Sequence, residues 1–169
     1  MSAQAYPVLA LRPVLPEDAP VLANIFRESI MALTGDDYSE TQQEAWAAAI
    51  DDEAAFAKRL ARELTIVATL GGAAVGFASL EADDKIGFFY VHPAAAGQGV
   101  GALLADALEK VASGRGVEKL SVDASDTASG FFTKRGYVAQ QRNSVQCGNE
   151  WVTNTTMQKP LPKSNQVTS

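Results

Sequence analysis

The stretch KIGFFYVHPAAAGQGVGALLADALEKV, residues 85–111, decides the fold. An apolar run reaches Pro93, three alanines follow, and Gly97, Gly99 and Gly101 then alternate with Gln98 and Val100 before a helical pattern runs to about Ser113. Amides that open a helix have no intrahelical partner, and the helix dipole adds partial positive charge behind them. Glycines there adopt backbone angles closed to other residues and let an anion come close. A glycine inside a helix costs about 1 kcal/mol relative to alanine. Three of them at the entrance therefore read as a pyrophosphate cradle; the alternative is a surface turn that needs only flexibility.

Two phosphate motifs compete for this segment. The P-loop needs Lys and Ser or Thr after its last glycine, and Gly101 is followed by Ala102 and Leu103. The dinucleotide fingerprint is matched by Gly97, Gly99 and Ala102, with Asp123 placed where a ribose-binding acid belongs. Against it, His92 to Ala96 separate the strand from the first glycine, whereas the dinucleotide turn leaves its strand directly. The chain after Asp123 also reads as one short helix and two antiparallel strands, too little for a second mononucleotide half.

Working outward, a strand is expected over residues 8–12. A helix follows with Val21, Leu22, Ile25, Phe26, Ile30 and Leu33 at core spacing. Ser39 with Gln42 forms a capping box for a second helix. A third, over about 52–62, carries Phe56 and Leu60 on one face. LTIVATL and AAVGFASLE flank Gly71-Gly72, a hairpin signal. IGFFYV, EKLSVDA, YVAQQRNSVQ and NEWVTNTTMQ read as further strands, and TASGFFTKR as a short helix closed by Gly136. Strict alternation would put Ile86, Phe88 and Tyr90 on one face of their strand, with Gly87, Phe89 and Val91 on the other. Helices and antiparallel hairpins are segregated, which indicates an α+β class with a central mixed, twisted sheet of about 6–7 strands.

The 169 residues suit one domain, with its core over about 9–159 and a loose tail over 160–169. Apolar content of 47% and a mean hydropathy of -0.03 are those of an ordinary water-soluble globule. No apolar run is long enough for a membrane span, and MSAQAYPVLALRP lacks a basic segment followed by an apolar core. A single cysteine, Cys147, excludes an internal disulfide and a multi-cysteine metal site, and no metal is expected. A cytoplasmic location follows as the expectation. Net charge is -6, from 14 basic and 20 acidic residues, with no basic stripe. That argues against nucleic acid and mildly favours cationic or neutral small substrates.

The segments YVHPAAAGQGVGALL and VDASDTASGFFTKRGYV together resemble the GCN5-related N-acetyltransferase (GNAT) family, over roughly residues 9–159. YSETQQEAW, VDASDTASGFF and VTNTTMQK are similar, more loosely, to a little-characterised bacterial branch of it. The resemblance implies an acyl-CoA N-acyltransferase fold, acetyl-CoA as donor and a small-molecule or peptide amine as acceptor. It implies that the amides of Gln98, Gly99, Val100, Gly101 and Ala102 hold the pyrophosphate, with Gly97 permitting the approach. It further implies that Val91 pairs with the pantetheine amides and serves the oxyanion, that Ser125 and Phe131 border the thioester arm, and that Lys134 reaches a phosphate. Three positions depart from the pattern. Ala96 stands for the usual Arg or Gln, Phe132 for a tyrosine that often acts as general acid, and Lys85 and Gly87 occupy the strand head where an acidic base is often placed.

An attacking amine of reference pKa near 10.4 must lose a proton. The candidate acceptors are Asp123, Glu81, Asp83 and Asp84, with Asp123 best placed and a turn-capping acid as its alternative reading. Tyr90 could replace the hydroxyl absent at Phe132. Tyr38 and Trp46 could wall the acceptor, and Asn154 could hydrogen-bond it. Core packing is the alternative reading for Tyr90 and Trp46. His92 and Cys147 are set aside. The expected activity is acetyl transfer to a primary amine. The rivals are a non-catalytic acyl-CoA-binding module and a dinucleotide-binding oxidoreductase. A homodimer through an exposed C-terminal strand is left open.

Overall fold

The computed structural model describes residues 7–163, and its elements follow from local sequence signals. Gly71 and Gly72, both at positive φ (60° and 86°), turn the chain between β2 (Leu64–Leu70) and β3 (Ala73–Ala82). β1 (Leu9–Pro13) pairs on the outer side of β2. β4 (Lys85–Val91) returns antiparallel to β3. After α4 (Val100–Gly114), β5 (Lys119–Ser125) runs parallel to β4. β6 (Val138–Cys147) and β7 (Glu150–Pro160) turn at Gly148, and β7 inserts between β5 and β6. The result is a seven-stranded mixed sheet in the order β1-β2-β3-β4-β5-β7-β6.

Helices cover both faces. On one, α4 buries Val100, Leu104, Leu108 and Ala112 against Ala78, Leu120 and Val122, together with Phe132 of α5 (Ser129–Lys134). On the other, α1 (Ala19–Leu33) and α3 (Glu53–Arg62) bury Leu22, Phe26, Phe56 and Leu60 against Val67, Phe77 and Phe88. Burying such side chains contributes about 1.5–3 kcal/mol each. α2 (Glu40–Ala47) starts at the expected box: the Gln42 amide donates to Ser39 Oγ (3.2 Å), and the Ser39 amide to Gln42 Oε1 (2.8 Å).

Three expectations need correction. Val21 and Leu33 are 49% and 40% exposed, because the buried stripe of α1 is narrower than its hydrophobic spacing. In β4, Phe89 pairs with Ala78 but Ile86 with Leu80, so β4 inserts one extra residue there. This β-bulge puts Ile86 on the α4 face while Phe88 and Tyr90 stay opposite, breaking the strict alternation. Finally, the chain stays docked past residue 160: Leu161 is buried, and its amide donates to Glu118 O (2.8 Å). The rest of the expected tail, 164–169, lies outside the described residues.

Candidate active site

The chain leaving β4 is fixed first by the His92 amide, which donates to Val75 O (2.8 Å). The His92 ring then accepts from the Ala94 amide (3.1 Å), and a turn of 3-10 helix (Pro93–Ala95) tucks Ala95 into the core. Gly97 (φ 78°) and Gly99 (φ 85°) take left-handed angles, and Gly99 is the N-cap of α4. The Gln98 amide donates to Ala95 O (3.3 Å), so it belongs to this turn and not to an open cradle. Leu103 is the first helix amide with a partner, Gly99 O at 3.1 Å. Gly97, Gly99, Val100, Gly101 and Ala102 therefore present N–H groups with no acceptor among the described residues. Space beside Gly97 and Gly99 is open within 4 Å, whereas a Cβ on Gly101 would meet the Phe131 ring at 3.2 Å.

Next to this helix start the sheet parts. β4 and β5 are in register only at Lys85–Ser121 and Ile86–Val122. Beyond them the two strands share no ladder. In the β3–β4 ladder the His92–Val75 bond sets the phase of the alternating pairs. By that phase the amide and carbonyl groups of Phe89 and Val91 point away from β3, into the gap. Phe131 stands at its rim, with ring centroid 5.6 Å from Phe89. Ser125 ends β5 beside the gap, but its Oγ accepts from the Ala128 amide (3.1 Å) and caps the following turn. Lys134 is exposed at the end of α5. Phe132, 1% exposed, packs between Phe89 and Tyr137 and offers no hydroxyl.

On the α1 side the gap opens into a cavity of about 380 Å³, bordered by Phe26, Trp46, Arg59, Tyr90, Asp123 and Asn154. Aromatic rings, among them Phe26, Tyr38, Trp46, Phe88 and Tyr90, form part of its wall. Tyr90 lies 4.5 Å from Phe26 and 6.4 Å from Trp46, ring centre to ring centre. Burial pushes the Tyr90 phenol up to about 12, against the opposing pull of the Trp46 indole and the Arg59 charge. It is a donor at neutral pH and no base.

Tyr38 touches Trp46 (5.4 Å), but its hydroxyl donates to Thr153 O (2.6 Å) and accepts from the Asp126 amide (2.8 Å). That hydroxyl ties the segment before α2 to β7 and to the chain after β5, while Tyr38 also lines the cavity. Asn154 accepts from Asn143 Nδ2 (2.9 Å), and its own amide nitrogen keeps its donors.

Asp123 does not end its strand; β5 continues to Ser125. Its carboxylate accepts from Thr156 Oγ1 (2.6 Å) and pairs with Lys85 Nζ (3.1 Å), which also reaches Glu81 (3.3 Å). Partial burial pushes the Asp123 carboxyl up, but Thr156 and Lys85 outweigh it and hold it below the usual carboxylate range. The group stays ionised and takes protons poorly. Asp83 pairs with Arg115 (2.7 Å) at the tip of the β3–β4 turn, and Asp84 lies in that turn, so neither borders the cavity.

The sequence reading missed one cluster. Phe56, Arg59, Leu60 and Glu63 share a stripe of α3 and its cap, so two charges sit on the face that should be apolar; that was the available signal. Glu63, its side chain 2% exposed, bonds Arg59 Nε and accepts from Ser79 Oγ (2.6 Å). Ser79 Oγ accepts in turn from the Phe88 amide (2.8 Å). Arg59 Cζ lies 3.9 Å over the Phe88 ring.

Residues 34–161 match the family model for the acetyltransferase (GNAT) domain. The chain is 32% identical over 149 residues to an uncharacterised N-acetyltransferase, YafP, of Escherichia coli (strain K12), covering 88% of this chain and 94% of that one. Among solved structures, it is similar to a GCN5-related N-acetyltransferase (aminotransferase, class-II) from Rhodopseudomonas palustris. There the identity is 59%, the TM-score 0.90, and 95% of this chain and 100% of that one are covered. It also shares its fold with the PaiA N-acetyltransferase of Thermoplasma acidophilum, solved in complex with coenzyme A, at 20% identity, TM-score 0.76 and 90% and 99% coverage.

Proposed function

The chain belongs to the GNAT acetyltransferase family, and from that premise we propose that it moves the acetyl group of acetyl-CoA to a primary amine held in the cavity beside β4. One observation carries the reading: β4 parts from β5 after Ile86–Val122, directly beside the unpaired amides that open α4. A mixed sheet with no second mononucleotide half supplants the dinucleotide reading.

The residues present fit coenzyme A. The open N–H groups of Gly99, Val100, Gly101 and Ala102, with the dipole of a 15-residue helix behind them, suit a diphosphate. Gly97 and Gly99 leave room for it. The free edge at Phe89 and Val91 offers a donor and acceptor set that extended amides can join as an added strand. Lys134, exposed at the end of α5 three residues after Phe131, is the cation this reading assigns to a phosphate. The PaiA complex, which holds coenzyme A on this fold, supports the assignment.

Bound acetyl-CoA supplies an activated thioester carbonyl. The Val91 amide is the donor for the developing oxyanion, where a fixed dipole acts with little reorganisation. Tyr90, still protonated at neutral pH, donates a second hydrogen bond on the cavity side. Asp123 with Glu81 and Lys85 leaves a net negative charge that draws the amine in as a cation. The proton leaves through water, since an ionised carboxylate held by Lys85 and Thr156 is a weak acceptor for it. A thiolate near pKa 8.5 departs readily, so the hydroxyl lost at Phe132 is no obstacle. In this reading the acceptor is a small-molecule or peptide amine.

Calorimetry with acetyl-CoA and thiol release with a panel of amines test the proposal. Binding together with release for some amines is expected. No heat of binding would overturn it, and binding without release for any amine would leave the acyl-CoA-binding module.

A further inference from the structure

Arg59 is held in a way that neutralising Glu63 does not require. A single nitrogen, Nε, meets the Glu63 carboxylate, whose other oxygen is taken by Ser79. The guanidinium carbon sits over the Phe88 ring, and the two terminal nitrogens have no hydrogen-bond acceptor among the described residues. Arg59 borders the acceptor cavity together with Phe26, Ile50 and Tyr90. Its charge is felt at the Tyr90 hydroxyl, where it opposes the effect of burial. A planar fork fixed from behind by a buried carboxylate, with its outer donors unused beside an aromatic cavity, is the arrangement that takes a carboxylate in two parallel hydrogen bonds. Lysine could neutralise Glu63 equally well but would offer no such edge.

The cavity therefore carries both signs. Asp123 borders it from β5 and Arg59 from α3, with apolar rings between them. We propose that Arg59 binds a carboxylate of the acceptor, so that the substrate class is a small amino-carboxylate with an apolar or aromatic body. This rests on the transfer reading above, and it reverses the expectation that a net charge of -6 selects simple cationic amines. The whole-molecule charge acts at long range, while the choice within the cavity is made by the one cation among the described residues that line it.

Thiol release is measured on the full chain with acetyl-CoA and matched acceptors: amino acids such as phenylalanine and leucine, their amides, and the corresponding decarboxylated amines. The acids should exceed their amides in kcat/KM by roughly 10- to 100-fold, as expected for charge-assisted hydrogen bonds to a guanidinium at a cavity edge. Arg59→Lys, which keeps a cation for Glu63, should collapse that ratio toward unity, mainly through KM of the acids. In the wild type, 3-phenylpropionate, a carboxylate with no amine, should protect against thermal unfolding and compete with the acceptor; in Arg59→Lys that protection should vanish. Amides and amines turned over as well as acids, or an equal loss on all three in the variant, would overturn the assignment. So would the absence of any effect of 3-phenylpropionate on the wild type. If acetyl-CoA binds and decarboxylated amines are acetylated as well as the acids, only the Arg59 assignment falls; if acetyl-CoA does not bind, the transfer reading falls with it.

Discussion

The Glu63 carboxylate occupies the space that a side chain on Gly87 would need. A methyl group built on Gly87 would come within 2.8 Å of Ser79 Oγ and closer still to Glu63 Oε1. Gly87→Ala must therefore push the carboxylate off Ser79 and Arg59. Overpacking of this kind costs about 1–3 kcal/mol. Thermal denaturation of the variant should show a clear fall in Tm, and the acid-over-amide preference should weaken in the molecules that remain folded.

Gly99 separates two effects at the helix entrance. Nothing lies within 4 Å of a Cβ there, so the strain in Gly99→Ala is confined to the left-handed backbone, at φ 85°. That conformation costs an L-residue about 1–2 kcal/mol. Gly99→Asp adds a carboxylate beside the unpaired amides of α4. Calorimetry should show coenzyme A binding weakened moderately by alanine and abolished by aspartate, with both variants folded by circular dichroism.

Asp123→Asn should raise KM for the amine and leave kcat within a few-fold of wild type. General base catalysis is worth about 10²- to 10⁴-fold, so a kcat fall of that size would restore Asp123 as the proton acceptor. Because its folded carboxyl sits below the usual range, its ionisation should contribute no step to the pH–rate profile near neutrality.

Asp18 sets an acid limit on stability. The Arg12 guanidinium, at 2.7 and 2.8 Å, is the main cause of its lowered pKa; burial opposes it, and the Leu15 amide, at 2.7 Å, adds to the lowering. A carboxyl lowered on folding contributes fully above its unfolded value of about 3.9 and loses that contribution as pH falls through the folded value. Asp18→Asn should cost roughly 1–3 kcal/mol at pH 7. Urea titrations of the two proteins should converge as pH drops below about 4.

Much of this fold was legible along the chain. Gly71-Gly72 marked a hairpin, Ser39 with Gln42 a helix start, and the alternating glycines an anion-ready helix entrance, because each signal is local. What escaped depends on distant partners. Gln98 looked like a cradle amide, but a turn claims it; Ser125 does line the cavity, with its hydroxyl also capping the next turn. Tyr38 lines the cavity as its sequence suggested, but that its hydroxyl is held by Thr153 and Asp126, far along the chain, was not legible. Gly87 read as a departure from the family pattern at the strand head, but that Glu63 from another element takes the room beside it could not be seen. Arg59 was passed over because its meaning arises only where α3 meets β4.

The short parallel seam between β4 and β5 has a mechanical consequence. β1 to β4 form one plate and β5, β7 and β6 another, hinged at Lys85–Ser121 and Ile86–Val122 and clasped by α4 and α5. A molecule lying across the crack braces both plates at once, so its occupancy stiffens the hinge as well as filling a site. Deuterium uptake should register this as slowed exchange at Phe89 and Val91, while amides facing β3 hold their protons with or without the brace.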